Sequence, residues 1–165
     1  MGVPAILEHE AQMRARALAA WLKVPNLRLL GQKRGMDALP IFSFQVADPA
    51  GGLVHHQLFT RMLSDVAGIQ ARGGCACAGP YAHRLMGIDD AASEALLVRL
   101  KQGEELAKPG WVRLNFSYLH SDAQAQQIID GVADVARRAP ELARVYEADP
   151  ATARFRAAEG LLRAG

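Results

Sequence analysis

The chain has 165 residues, of which half are hydrophobic and 22% are charged, with a formal net charge of +2 at pH 7. This length can bury a core without disulfides or metal, and the composition excludes intrinsic disorder. The charges are scattered, which argues against a nucleic-acid surface, and no apolar run approaches the ~20 residues that span a bilayer.

The first segments predict a helix followed by two strands. Apolar residues recur at helical spacing over Pro4–Lys23, and Pro4 suits a first helical turn. Leu27–Leu30 has the pattern of a short strand, and Pro40–Val46 alternates apolar and polar residues before a turn rich in glycine and proline. We expect these two strands to form a hairpin-like pair.

The next segments predict a helix that leads into a glycine-rich loop. Leu53–Ala67 has apolar residues at helical spacing, and Gly68 is placed to end the helix as the residue after its last turn. A short strand is expected at Ile69–Arg72.

A signal peptide is not apparent at the N-terminus, so the sequence predicts a cytoplasmic protein.

The second half predicts a helix, a strand and two more helices. We expect a helix over Ser93–Gly103 with Ser93 as its N-cap, and a strand over Trp111–Tyr118 with one polar face. A helix capped by Ser121 or Asp122 follows. A further helical segment is predicted over Glu141–Leu162 with a break at Pro150, so the charges from residue 137 to 163 are interpreted as a solvated helix face.

The resulting order is α-β-β-α-β-loop-α-β-α-α. Strands interleaved with helices on one side predict an α+β two-layer sandwich with a small, mostly antiparallel sheet. We expect one domain over residues 1–165.

The two cysteines, Cys75 and Cys77, lie in a glycine-rich stretch directly after Arg72. Glycines free the backbone from side-chain sterics, and a nearby guanidinium favours a thiolate. This is how a reactive or ligand-binding thiol is presented. The alternative is two buried, inert cysteines in a loop that is tight for packing reasons.

A metal or redox site is a further hypothesis for these cysteines. Structural zinc would need two more ligands, which His55, His56 or His83 would have to supply from distant segments. The C-x-C spacing is not that of a zinc knuckle, and adjacent histidines on a helix point in different directions. This hypothesis is therefore the weakest of those considered.

Two stretches, GIQARGGCACAGPYAHRL and KPGWVRLNFSYLHS, resemble the C-terminal small domain of class V aminotransferase-like enzymes. These are fold-type I pyridoxal-phosphate enzymes and include the cysteine desulfurases. The desulfurase loop has the pattern R-x-G-x-x-C-A, which Arg72, Gly74, Cys77 and Ala78 match. A C-x-C pair like that of Cys75 and Cys77 occurs in the related molybdenum-cofactor sulfurases. The resemblance extends from Gly2 to about Tyr146.

The resemblance implies a role for several residues. Arg113 stands where the family's arginine grips the substrate carboxylate, and an arginine fork does this better than a lysine. Cys77, and with it Cys75, would act as the loop nucleophile that takes sulfur from an amino-acid substrate and becomes a persulfide. Arg72 would favour the thiolate or buttress the loop. His83 is a candidate base, or a histidine at a helix start.

The family binds its cofactor in a large domain, through a lysine and an aspartate in motifs that this sequence lacks. None of its lysines, Lys23, Lys33, Lys101 and Lys108, has the family context. We therefore expect a small domain without its large domain, either the product of a split or truncated gene or a fragment of a longer enzyme, which does not bind pyridoxal phosphate by itself. It would complete the active site of a separate large-domain polypeptide. Alternatively, it is a non-catalytic remnant or interaction module, which would self-associate through its exposed apolar surface.

Overall fold

The computed structural model describes residues 2–31, 38–74 and 79–158. Within these ranges none of the helices is both long and apolar enough to cross a membrane. The helices and strands are α1 (Val3–Trp21), β1 (Leu27–Leu30), β2 (Ile41–Ala47), β3 (Leu53–Val54), α2 (His56–Ala67), β4 (Arg72–Gly74), α3 (Gly79–Met86), α4 (Asp90–Lys101), β5 (Trp111–Asn115), α5 (Asp122–Leu142), β6 (Tyr146–Asp149) and β7 (Arg154–Ala157), with 3₁₀ turns at Glu105–Ala107 and Ala143–Val145.

The main sheet has the strand order β1-β2-β5-β4, and β3 pairs with the end of β2. Every pairing in it is antiparallel. The predicted α+β class with a small antiparallel sheet is confirmed, as is the pairing of β1 with β2. A separate two-stranded sheet, β6-β7, closes the described part of the chain.

The core lies between one face of the main sheet and α1, α2 and α5. Trp21 of α1 is fully buried there, and its indole Nε1–H donates to the carbonyl of Ile129 on α5 at 3.0 Å. Its ring meets Phe42 edge to face at a centroid distance of 4.8 Å and lies 6.1 Å from Phe116. Trp21 therefore connects two helices to the sheet, with its one polar atom satisfied.

Local signals in the sequence determine several helix ends. Gly68 follows α2 with a φ of 65°, the left-handed conformation expected of a glycine at this position. Ser121 begins α5 with a reciprocal capping box, in which its hydroxyl and the Gln124 side chain each satisfy the other's backbone N–H. The prediction that Gly68 ends α2 is confirmed, and Ser121 rather than Asp122 is the cap of α5.

The clearest differences from the predicted boundaries concern α2, α4, β4 and β5. Helix α2 begins at His56 because Leu53 and Val54 pair with β2 instead. Helix α4 begins at Asp90, since the Asp89 carboxylate caps it by accepting from the Ala92 N–H, so Ser93 is not its N-cap. Strand β4 is shifted from the predicted 69–72 to 72–74, and β5 ends at residue 115 rather than 118.

The largest error concerns residues 141–162. A helix was predicted, but residues 146–157 form the β6-β7 hairpin, so the predicted solvated helix face does not exist there. Asp149 accounts for this, because its carboxylate accepts from the Ala151 N–H at 3.0 Å and the Thr152 hydroxyl at 2.7 Å and closes a turn. Helix α3, which directly follows the cysteine loop, was not predicted.

We predict that Trp21→Ala destabilises the fold by about 3–5 kcal/mol, because it removes the largest buried side chain and leaves a cavity. Leu22→Ala is the matched control, since this neighbouring side chain is 48% exposed and its loss should cost less than about 1 kcal/mol. Urea unfolding of both variants measures the difference. Equal losses would show that Trp21 is not central to the core.

Candidate functional site

Successive side chains of β5 lie on opposite faces of the sheet, so core residues and candidate site residues are on different faces. Val112 and Leu114 point into the main core. Arg113, half-buried between them in sequence, therefore lies on the opposite face of the sheet. Its register partners are Ser43 on β2 and Arg72 on β4, so these side chains share that face.

Arg72 and Arg113 stand directly opposite each other on adjacent strands. Like charges in this position destabilise a sheet unless a counter-charge lies nearby. Among the described residues, neither arginine forms an ion pair or a side-chain hydrogen bond. Within the described residues the pair is thus a double positive charge without a carboxylate partner, and two guanidinium groups are suited to hold a carboxylate.

Strand β4 leads directly to the two cysteines. Gly74, its last residue, pairs with Trp111 of β5. Cys75 and Cys77 follow and lie outside the described residues. The chain is described again from Gly79, where α3 begins.

Helix α3 lies on the same face of the sheet as the two arginines. Its Ala82 is buried against Leu30 and Trp111 in a small second cluster. Both ends of the cysteine segment are therefore attached at this face, one to β5 and the other to α3. His83 of α3 is half-buried, and its side chain has no hydrogen bond to another described residue; its role as a base remains a prediction.

His55 and His56 sit at the N-terminal end of α2 and pack against each other, with ring centroids 4.3 Å apart. The His55 Nδ1 accepts from the Gln57 N–H at 3.2 Å and caps the helix. The His56 Nε2 donates to the carbonyl of Lys108 at 3.2 Å. The ring centroid of His55 also lies 5.1 Å from that of Phe155 on β7.

Burial explains the electrostatics of this histidine pair. It lowers the pKa of His55 to about 4, with a smaller contribution from His56. It also lowers the pKa of His56, although the hydrogen bond to Lys108 opposes the effect. The pair is therefore neutral at pH 7. In the ranges that the structure describes, no three histidine, cysteine, aspartate or glutamate side chains are grouped to hold a metal ion.

Two glycines make room for His56, a feature that sequence reasoning missed. A Cβ added to Gly110 would lie 2.5 Å from the His56 ring and 2.8 Å from the backbone of Gly74. A Cβ on Gly73 would lie 2.9 Å from the His56 carbonyl oxygen. Because of these close approaches, β4 and the segment before β5 pack directly against the start of α2. The only sequence signal was the presence of a glycine at each of these two positions.

A cavity of about 540 Å³ adjoins the histidine pair, with mostly apolar walls from β2, β3 and β5. Pyridoxal phosphate would need a lysine for its imine and an acid beside its ring nitrogen. Lys108 lines the cavity, but its exposed ammonium pairs with Glu105, and no aspartate or glutamate is among the lining residues. Lys23 and Lys101 are exposed, and Lys33 lies outside the described residues. The described residues do not fit a complete cofactor site.

Comparison with protein families and with curated proteins found no match to this chain.

We predict that the protein loses stability as the pH falls from 6.5 towards 4. His55 has its ordinary pKa of 6.5 in the unfolded chain and about 4 in the folded protein, so the unfolded state binds more protons in this window. The contribution of neutral His55 to the free energy of unfolding is fully present above pH 6.5. His55→Asn keeps a capping acceptor without this titration and should make the decline shallower.

Urea unfolding at several pH values between 7 and 4 measures this effect, with His83→Asn as the control. Identical pH slopes for the wild type and His55→Asn would contradict the assignment.

Proposed function

We propose that this chain is the small domain of a pyridoxal-phosphate enzyme of the class V aminotransferase type, related to cysteine desulfurases. It would contribute a carboxylate-binding arginine and a loop thiol to an active site completed by a large domain. That large domain, in a partner polypeptide, would carry the cofactor lysine, and the small domain would be inactive without it. A cytoplasmic location belongs to the same proposal.

The observation that carries this proposal is the cross-strand pair of Arg72 and Arg113. Their charges have no carboxylate partner in the described part of the chain, and they lie on the face of the sheet away from the core. An amino-acid substrate supplies such a carboxylate. The strand that carries Arg72 runs straight into the cysteine segment, which favours a substrate held next to a thiol.

The two arginines differ in exposure, which suggests different tasks. Arg113 is half-buried on the central strand β5 and is flanked by two paired strands, so its position is well defined. It is the better candidate for gripping a carboxylate. Arg72 is exposed on the edge strand and only three residues before Cys75. It is the better candidate for favouring the thiolate of Cys77 or Cys75.

Mixing the chain with a large-domain polypeptide of this family tests the proposal. We expect a change in pyridoxal-phosphate absorbance and formation of alanine from cysteine. Arg113→Ala should lower kcat/KM about tenfold or more, as expected for loss of a charge-assisted hydrogen bond. Arg113→Lys should not restore it, because lysine lacks the bidentate fork. Cys77→Ser should abolish sulfur transfer.

The matched control is Arg137→Ala, which removes an exposed arginine of α5 far along the chain. It should leave turnover unchanged. Absence of both turnover and absorbance change would overturn the proposal, as would full activity of Arg113→Ala and Cys77→Ser.

A non-catalytic interaction module is the second candidate. The observation that favours it is a set of exposed apolar side chains near the face that bears the arginines, including Leu39, Ile41 and Leu53 at 60%, 41% and 53% exposure. Such side chains mark surfaces that bind another protein. In this case the chain would self-associate or capture a partner without turnover, whereas a strictly monomeric species without partners would exclude it.

A further inference from the structure

A groove of about 640 Å³ separates the edge of the main sheet from the C-terminal hairpin. Residues 69–71, which lead into β4, form one wall, and residues 152–156, which include most of β7, form the other. Both strands pack against α2. The floor is one stripe of that helix, spaced by three and four residues: Gln57, Thr60, Arg61 and Ser64.

The wall at residues 69–71 continues into the outer edge of β4. Strand β4 is last in the order of the main sheet, and among the described residues only β5 pairs with it. The Gly73 carbonyl accepts from the Gln57 side chain at 3.1 Å, so Gly73 directs its peptide groups away from β5 and this carbonyl already has a partner. Alternate residues of a strand share this direction, so the peptide groups of Ala71 point the same way.

The wall formed by β7 is also an open edge. The Ala158 N–H donates to the Val145 carbonyl, so Ala158 faces the β6 side of the hairpin. By alternation, the peptide groups of Arg156 and Arg154 point towards β6, and those of Phe155 point away from it. Over the described residues, no backbone hydrogen bond joins β7 to β4. The two free edges therefore border the same groove.

The charged side chains that line the groove in the described part of the chain are all arginines: Arg61, Arg154 and Arg156. Arg61 is paired with Asp65 on its own helix. Arg154 and Arg156 stand across from acidic residues of β6 but form no ion pair with another described residue. The rest of the floor is polar and uncharged.

We propose that this groove binds an extended, acidic segment of a second polypeptide by strand addition. Open backbone groups on both walls select an extended chain, which would pair with Ala71, at the start of β4, on one side and with Phe155 of β7 on the other. The arginines of β7 select acidic side chains, and the polar stripe of α2 selects small polar ones. The guest strand would join the two sheets into one, in the order β1-β2-β5-β4-guest-β7-β6.

This site is separate from the arginine pair of the proposed function. It uses neither Arg113 nor the cysteines, and Arg72, although it belongs to β4, stands opposite Arg113 and carries its side chain on the face away from α2. Failure of one proposal therefore leaves the other intact.

Titration of the ¹⁵N-labelled full chain with a five-residue peptide of alternating glutamate and threonine tests the inference. We expect saturable shifts of the Ala71 and Phe155 amide signals, and hydrogen exchange at these amides slowed at least tenfold at saturation. The control peptide has the same side chains and N-methylated backbone amides, so it cannot pair as a strand and should not bind. This comparison leaves the protein unaltered.

The charge requirement is tested with R154E/R156E, which should weaken peptide binding at least tenfold, and with R137E on α5 as the control, which should not.

Equal binding of the methylated and unmethylated peptides, or no binding of either, would overturn the proposal. So would protection of Ala71 and Phe155 in the free chain, which would indicate that the chain fills its own groove. Protection that rises with protein concentration alone would mean that a second copy is the occupant, and would also overturn it.

Discussion

The alternation of side chains along β5 is the constraint on which the rest of the structure depends. This strand pairs on both sides, with β2 and β4, and it directs Val112 and Leu114 into the core. A shift of one residue in its register would place Arg113 in the core and expose its apolar residues. The burial of the core face therefore fixes the position of Arg113 on the other face. It also fixes Arg72, because β4 takes its register from β5.

Close backbone packing holds β4 in that register. Gly73 and Gly110 leave space that a Cβ would fill, and His56 occupies it from the start of α2. The Gln57 amide donates to the Gly73 carbonyl at 3.1 Å and secures the same contact. The neutral histidine pair is thus part of the support of the edge strand. Through the contact of His55 with Phe155, it also connects that support to the C-terminal hairpin.

The sequence predicted those features that arise from local chemistry. The helical spacing of α1 and α5, the alternation of β2 and the glycine that ends α2 each have a signal within a few residues. The hairpin over residues 146–157 was missed because alanine, arginine and glutamate around it favour a helix, whereas the turn depends on the Asp149 side chain. The start of α2 was misplaced because the pairing of β3 with β2 is a tertiary contact.

The candidate site could be predicted only in part. Arg113 and Arg72 were selected by their resemblance to a family pattern, and their placement on one face follows from strand alternation. That they stand directly opposite each other depends on the pairing of β4 with β5, which no local pattern reveals. The same holds for the groove between β4 and β7, because it requires a hairpin that the sequence did not predict.

The central proposal is that Arg72 and Arg113, which form no ion pair among the described residues, act together with a thiol of the cysteine segment. The most direct measurement compares the rates at which anionic iodoacetate and neutral iodoacetamide alkylate Cys77 and Cys75, with each site followed by mass spectrometry. Nearby positive charge raises the iodoacetate rate relative to the iodoacetamide rate. We predict that Arg72→Ala and Arg113→Ala each lower this ratio about threefold, the effect of a unit charge at a few ångströms in water, and that Arg137→Ala does not. A ratio unchanged by either substitution would contradict the account.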